Sequence, residues 1–338
     1  MRSDAGTVPG QRSEDDHGPH GPMACRLGFG CASLFRLRGR RERLRLLACA
    51  YDNGIEHFDT APMYGLGASE RELGAFASGP RGNVTLLTKF GRSVAPLGRA
   101  ARPLQAPLGR RVTAALDTIA REGVVRRVNA ALYRPPDYGV AAARGSLEAS
   151  CRRLGRDRID ILAVHDPPPG VLPPDDLPGW LDEACASGRV GAWGLAGHHS
   201  TAVAWGHHLD RPLPVLQYQS DYRSAPVAGM ADSYITYGFL RGQLARIRSL
   251  LDTRPDLCEH WSGRLQMSLA GDGLADALLE HELAKNVGGV VLIASSREQR
   301  IVRAATVAHR HAQQRPAERI RRAAILTDFA TACRLASG

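Results

Sequence analysis

From residue 27 to about residue 310, short apolar runs alternate with longer amphipathic or Ala/Arg/Leu-rich stretches. Eight of the runs read as strands, at 27–32, 55–59, 84–89, 159–165, 190–196, 215–220, 234–237 and 289–295. Stretches with helical spacing fill most of the gaps, at 41–53, 69–77, 139–154, 174–187, 201–209, 273–285 and from 297 onward. Strand and helix taking turns in this way is the pattern of βαβ units and a parallel sheet. Eight such units in about 280 residues match the usual size of a (β/α)8 TIM barrel, an α/β fold. The competing arrangement is an open doubly wound sheet with Gly28-Phe29-Gly30-Cys31-Ala32-Ser33 as its dinucleotide loop. That fingerprint lacks its third glycine, and arginines follow where a tightly packed helix should begin, so the segment reads as the first barrel strand.

The same pattern sets the boundaries. Residues 1–25 are polar and are expected to be disordered, with Met23 as a possible start. Residues 26–312 are expected to form one barrel domain, and 313–338 a C-terminal helical tail. Between the third and fourth strands, 91–137 is an oversized insertion rich in Pro, Arg and Gly, with one helical stretch near 112–121. A long connection at the active-site end of a barrel shapes substrate access.

Composition narrows the function classes. The chain has 338 residues and a formal charge of +10, but its arginines are spread along its length, without a basic block interleaved with aromatics. Nucleic-acid binding is therefore not expected. No apolar stretch approaches the roughly 18 residues of a membrane span, and the N-terminus has no hydrophobic signal core, so a cytoplasmic protein with no membrane partner is expected. The seven cysteines are odd in number and scattered, which points to reduced thiols. Adjacent histidines at His198-His199 and His207-His208 point to different sides of an element and lack a nearby carboxylate or thiol, so no metal site is expected.

One bias carries chemistry. Of the 44 basic residues only Lys89 and Lys285 are lysines, and Lys89 ends an apolar run. Arginine holds its proton permanently, whereas lysine offers a compact ammonium that can take part in proton movement. Asp59 and His165 end two other apolar runs, and in a barrel such strand ends meet on one face. Tyr64 follows Asp59 through a Pro-containing turn that can fold its phenol back over the strand end. Lys89 is expected to lower the Tyr64 pKa, Asp59 to balance the Lys89 charge, and His165 to orient a carbonyl oxygen. The set supplies a proton relay without a nucleophile or electron sink, so a cofactor must bring the reactive group, and hydride transfer complements it.

The run Gly54-Ile55-Glu56-His57-Phe58-Asp59-Thr60-Ala61-Pro62-Met63-Tyr64-Gly65 is followed by Ser69-Glu70-Arg71-Glu72-Leu73-Gly74 and Thr88-Lys89. Ser146-Leu147-Glu148, Arg153-Leu154-Gly155 and the stretch from Asp157 to His165-Asp166 come next. In this order the motifs resemble the aldo/keto reductases. The resemblance implies Asp59, Tyr64, Lys89 and His165 as a catalytic tetrad with Tyr64 as general acid/base. It also implies a nicotinamide cofactor, NADP(H) in preference to NAD(H), lying across the barrel mouth near Gly30 and Asp59. Gln217 would hold the carboxamide, Tyr237 would stack on the ring, and Arg241 and Leu244 would lie near the pyrophosphate. Ser295, Ser296, Arg297 and Arg300 would meet the 2′-phosphate, as amides and guanidinium groups at a helix start suit a phosphate. The substrate would be a small aldehyde, ketone or sugar; the Asp-Thr-Ala-Pro-x-Tyr-Gly form and Asp137-Tyr138-Gly139 are similar to the branch acting on threo-aldoses, fucose or pyridoxal. Two departures weaken the cofactor site: Ala196-Gly197 stands where Ser-Asn is usual, and Arg303-Ala304 where Glu-Asn is common. At roughly 1 kcal/mol per lost hydrogen bond they predict binding weakened severalfold to tenfold or more. The alternative is a barrel of low or no activity, serving as a cofactor sensor, regulatory subunit or scaffold.

Overall fold

The computed structural model describes residues 25–79, 83–98, 100, 131–209, 211–222 and 229–336. Residues 1–24 and the helical stretch expected near 112–121 lie outside them. Eight strands close a parallel barrel in chain order: β1 Leu27–Gly30, β2 His57–Asp59, β3 Thr85–Phe90, β4 Ile159–His165, β5 Val190–Gly197, β6 Leu213–Gln219, β7 Ala231–Tyr237 and β8 Val290–Ile293. Closure is made by β8 against β1, with Phe29 opposite Ile293. The expected barrel is therefore the observed one.

Alternation along each strand decides what enters the barrel. Leu87, Ile161, Ala163, Ala192, Val215, Ile235, Val290 and Leu292 form the inner cluster. Two residues further on, in the same phase, come Lys89, His165, Gln217 and Tyr237. The apolar plug and the polar mouth are thus successive layers of one pattern. β1 contributes glycine to the interior: a Cβ on Gly28 would lie 2.5 Å from Leu292 and 2.8 Å from His57. The opposite phase faces the helices, where Phe29, Phe58, Leu162, Trp193 and Leu216 join the larger outer core.

Helices α1 Arg40–Asp52, α2 Ser69–Ala77, α3 Val140–Leu154, α4 Leu177–Ala186 and α5 His199–His208 follow the first five strands. Glu70, fully buried on α2, accepts from Thr88 Oγ1 at 2.7 Å and from the Arg153 guanidinium, tying α2 to β3 and α3. The sequence gives no sign of this hub beyond the motif containing it.

The second half of the barrel departs from one helix per strand. Only residues 220–230 join β6 to β7, with no helix among those described. Three helices lie instead between β7 and β8: α6 Gln243–Thr253, α7 Pro255–Leu265 and α8 Gly273–Lys285. Of these, α6 and α7 lie outside the stretches expected to be helical. The signal was present, since Ile247 and Leu251, then Trp261 and Leu265, are buried pairs at helical spacing, with Pro255 opening α7. Lys285, at the end of α8, serves the β6 terminus. Its Nζ donates to Ser220 Oγ at 2.6 Å and to the Asp221 carbonyl at 2.9 Å, while Ser220 donates to Glu282 at 2.9 Å. The second lysine is thus a structural clasp outside the barrel.

α9 Glu298–Gln313 leads to α10 Pro316–Leu335. Arg322 forks onto Glu280 of α8 with two contacts of 2.9 Å, and Phe329 packs on Trp261 with ring centroids 5.6 Å apart. Among the described residues no helix is long and apolar enough to cross a membrane, and no group of three or more His, Cys, Asp or Glu is placed to hold a metal.

Candidate active site

Asp59, Lys89 and His165, at strand ends, and Tyr64, in the turn after β2, meet at the C-terminal mouth of the barrel. Lys89 Nζ donates to Asp59 Oδ1, to the Thr60 carbonyl at 3.0 Å and to the Tyr64 hydroxyl at 3.4 Å. Asp59 is also the acceptor for Gln217 Nε2 at 3.1 Å. Both charges of the Lys89–Asp59 pair are almost completely buried. Tyr64 and His165 meet edge to face, with ring centroids 5.8 Å apart and planes at 82°.

Tyr64 reaches this place through a tight turn. The Tyr64 amide donates to the Ala61 carbonyl at 3.1 Å, and the chain then runs left-handed through Gly65 and Leu66, with φ of 58° and 50°. Glycine at 65 is required twice over, because a Cβ there would also sit 2.3 Å from the Phe35 ring. The expected folding-back of the phenol is what the backbone shows.

The electrostatics correct one expectation. Tyr64 is held well above the ordinary tyrosine pKa, by burial first and then by the Asp59 and Asp166 carboxylates. The lowering expected from Lys89 does not prevail, since Asp59 is bonded to that ammonium and the phenol is desolvated. Tyr64 therefore keeps its proton through the ordinary pH range, and because its oxygen accepts from Lys89, the O–H is free to point elsewhere. His165 is pushed well below the ordinary histidine pKa by burial, then by Lys89 and Arg92, and is neutral. A neutral imidazole can donate one hydrogen bond to a carbonyl oxygen while the tyrosine supplies a proton.

Of the residues that the resemblance matches to a nicotinamide cofactor, Gln217 and Tyr237 stand at this centre. Gln217 Oε1 is buried and makes no hydrogen bond among the described residues, which leaves an acceptor suited to an amide NH2. Tyr237 spans the mouth and donates its hydroxyl to the Gly197 carbonyl at 3.1 Å. Gly30 is buried at the end of β1. Arg241 is exposed in the turn before α6, while Leu244, in the first turn of that helix, is half-buried against the outer core. Ser295 Oγ accepts from the Arg297 amide at 3.0 Å, and Ser296, Arg297 and Arg300 are exposed at the start of α9. The departures are also placed. Ala196 and Gly197 bring no polar side chain to the mouth, and Arg303 forks onto Asp276 of α8 with two contacts of 2.8 Å. Of the histidine pairs, exposed His198 approaches Asp166.

A brace that has no signature in the sequence stands behind His165. Tyr138 donates to the His165 carbonyl at 3.1 Å, and Arg92 donates to the Asp166 carbonyl through Nε and Nη2 at 3.2 and 3.0 Å. Tyr138 and Arg92 are 46 positions apart in numbering, across the 91–137 insertion, so no local pattern could pair them.

Comparison with known proteins agrees with this geometry. The chain is 40% identical over 145 residues to a D-threo-aldose 1-dehydrogenase from a Pseudomonas species, a match covering 42% of this chain and 40% of that protein. It is 34% identical over 143 residues to a pyridoxal 4-dehydrogenase from Microbacterium luteolum, covering 41% and 39%. The match thus spans about two fifths of the length of these curated relatives. Among solved structures, an aldo-keto reductase from Klebsiella pneumoniae in complex with NADPH superposes with a TM-score of 0.54 at 18% identity, covering 84% of this chain and 85% of that one. The model of the aldo/keto reductase family matches residues 26–227. With more than half of the chain matched by that model and the barrel closed, the chain belongs to the aldo/keto reductase family.

Proposed function

We propose that the chain moves hydride between NADP(H) and the carbonyl or lactol carbon of a small substrate, with Tyr64 giving or taking the proton. One observation carries this reading. Tyr64 is a protonated phenol whose oxygen is held by Lys89 and whose ring lies against a neutral His165, so a proton donor and a carbonyl-orienting donor share one mouth. The bound nicotinamide would supply the hydride, a reagent these side chains lack. Asp59 balances the Lys89 ammonium, Lys89 fixes the Tyr64 oxygen, and His165 donates to the substrate oxygen. In reduction the Tyr64 proton passes to that oxygen as it gains negative charge, and the phenol is reprotonated from solvent. Gln217 would hold the carboxamide through its open Oε1, and Tyr237 would cover the ring. Arg297 and Arg300, which make no ion pair among the described residues, favour the extra phosphate of NADP(H). The D-threo-aldose 1-dehydrogenase likeness supports a sugar lactol as substrate.

The test is a titration with NADPH and NADH followed by tryptophan fluorescence, then turnover on aldehydes with NADPH and on aldoses with NADP+. Tighter binding of NADPH and measurable turnover are expected. Replacing Tyr64 by Phe should lower kcat by about 10²–10⁴-fold with NADPH affinity within about twofold. Full activity in that variant refutes the acid/base role. Ala196-Gly197 favours a second reading, a barrel without turnover. Binding without turnover would make it a sensor, and binding of neither cofactor a scaffold.

A further inference from the structure

Asp166, directly after the histidine of the site, takes φ of +49°, a left-handed conformation unusual for a residue other than glycine. The surroundings fix it there. Its amide donates to the Ala196 carbonyl, and its own carbonyl accepts from Arg92 Nε, Arg92 Nη2 and, at 3.2 Å, the Tyr138 hydroxyl. Glycine at 91 makes the brace possible, since a Cβ there would sit 2.2 Å from the Tyr138 ring. The carboxylate is the part this backbone arrangement leaves available. Its Oδ2 lies 3.1 Å from Arg92 Nη2 and its Oδ1 3.6 Å from His198 Nε2, with the Asp166 and Arg92 side chains 31% and 34% exposed. A strained residue over-determined by its surroundings beside a reacting centre points to a task for its side chain.

The position is close enough to matter electrically. After burial, the Asp166 charge helps hold the Tyr64 and Tyr237 hydroxyls protonated, and Arg92 contributes to keeping His165 neutral. The pair is also nearly neutral in sum. Such a pair neither selects nor rejects net charge, but a carboxylate held on one oxygen keeps lone pairs for O–H donors. A neutral, hydroxyl-bearing ligand is the chemistry it fits.

We propose that Asp166, positioned by Arg92 and Tyr138, is a specificity-determining residue that accepts hydrogen bonds from hydroxyl groups flanking the reacting carbon of a polyhydroxylated substrate. This rests on the hydride-transfer reading above and deepens it. A site that hydrogen-bonds a substrate hydroxyl rejects the analogue lacking it far more strongly than an apolar pocket rejects a missing methylene.

Glyceraldehyde and propanal share a three-carbon aldehyde skeleton and differ in two hydroxyls, so the ratio of their kcat/KM values isolates the interaction. Wild type is expected to favour glyceraldehyde. Asp166→Ala and Asp166→Gly should each lower that ratio at least about tenfold, mainly through the glyceraldehyde KM, and Asp166→Asn should lower it less, because one acceptor remains. The glycine variant is decisive, since it takes φ of +49° without strain and removes only the carboxylate. An unchanged ratio in Asp166→Gly overturns the proposal, as does an equal fall for both aldehydes, the mark of a merely structural support for His165. Wild type that reduces propanal without preferring glyceraldehyde overturns this proposal alone. Wild type that reduces neither aldehyde and oxidises no aldose overturns the hydride-transfer reading together with it.

Discussion

Removing the Asp59 carboxylate should destabilise the barrel, and removing Lys89 as well should restore most of the loss. The two side chains are 5% and 2% exposed, so neither charge has water to fall back on. Deleting one partner of a buried pair costs about 3–5 kcal/mol, because the other charge stays behind uncompensated. Lys89 would keep the Thr60 carbonyl and the Tyr64 oxygen, which places its share near the lower end. Gln217 Nε2 would lose its acceptor too, adding about 1 kcal/mol. Asp59→Ala should therefore lose about 4 kcal/mol, and at about 2 °C per kcal/mol for a chain of this size its Tm should fall by about 8 °C. Lys89→Met alone leaves a buried carboxylate and should be similarly unstable. Asp59→Ala/Lys89→Met contains no unpaired charge and should lie within about 2 kcal/mol of wild type, above either single variant. Urea unfolding at pH 7, followed by circular dichroism and analysed as a double-mutant cycle, reads all four proteins. A double variant as unstable as the sum of the singles, or an Asp59→Ala loss below about 1 kcal/mol, would refute the account of the pair.

Three further outcomes are expected. His281 and His311 are both pushed down to about 4, by burial first and then by Lys285 and Arg26 respectively. The unfolded chain therefore takes up these protons first, and stability present above about pH 6.5 is lost as pH falls toward 4, by up to about 3 kcal/mol for each histidine; urea midpoints at pH 7, 5.5 and 4.5 should fall, with a shallower fall in His311→Leu. Gly28→Ala would press a methyl into Leu292 and His57 inside the barrel, costing about 1–3 kcal/mol by thermal unfolding. Gly197→Asn introduces a Cβ that meets its neighbours no closer than 3.6 Å and should tighten NADPH binding severalfold by supplying an amide to the carboxamide position, read by fluorescence titration.

The local pattern was enough for most of the barrel, because strand and helix periods are properties of neighbouring residues. Seven of the expected helical stretches and all eight strands lie where apolar spacing placed them, and Asp59, Lys89 and His165 were legible as polar ends of apolar runs. The oxidoreductase family was legible for the same reason, through motifs around those ends. Two helices after Leu240 were also written in the chain, at Ile247 and Leu251 and at Trp261 and Leu265. What the tertiary structure alone decided depends on groups distant in sequence. Lys285 clasps Ser220 across 65 positions, and Glu70 joins Thr88 to Arg153. Tyr138 and Arg92 converge on the peptide after His165. The direction of the Tyr64 shift belongs here as well: the sequence places an ammonium near the phenol, but only burial and the prior claim of Asp59 on that ammonium determine that the phenol keeps its proton.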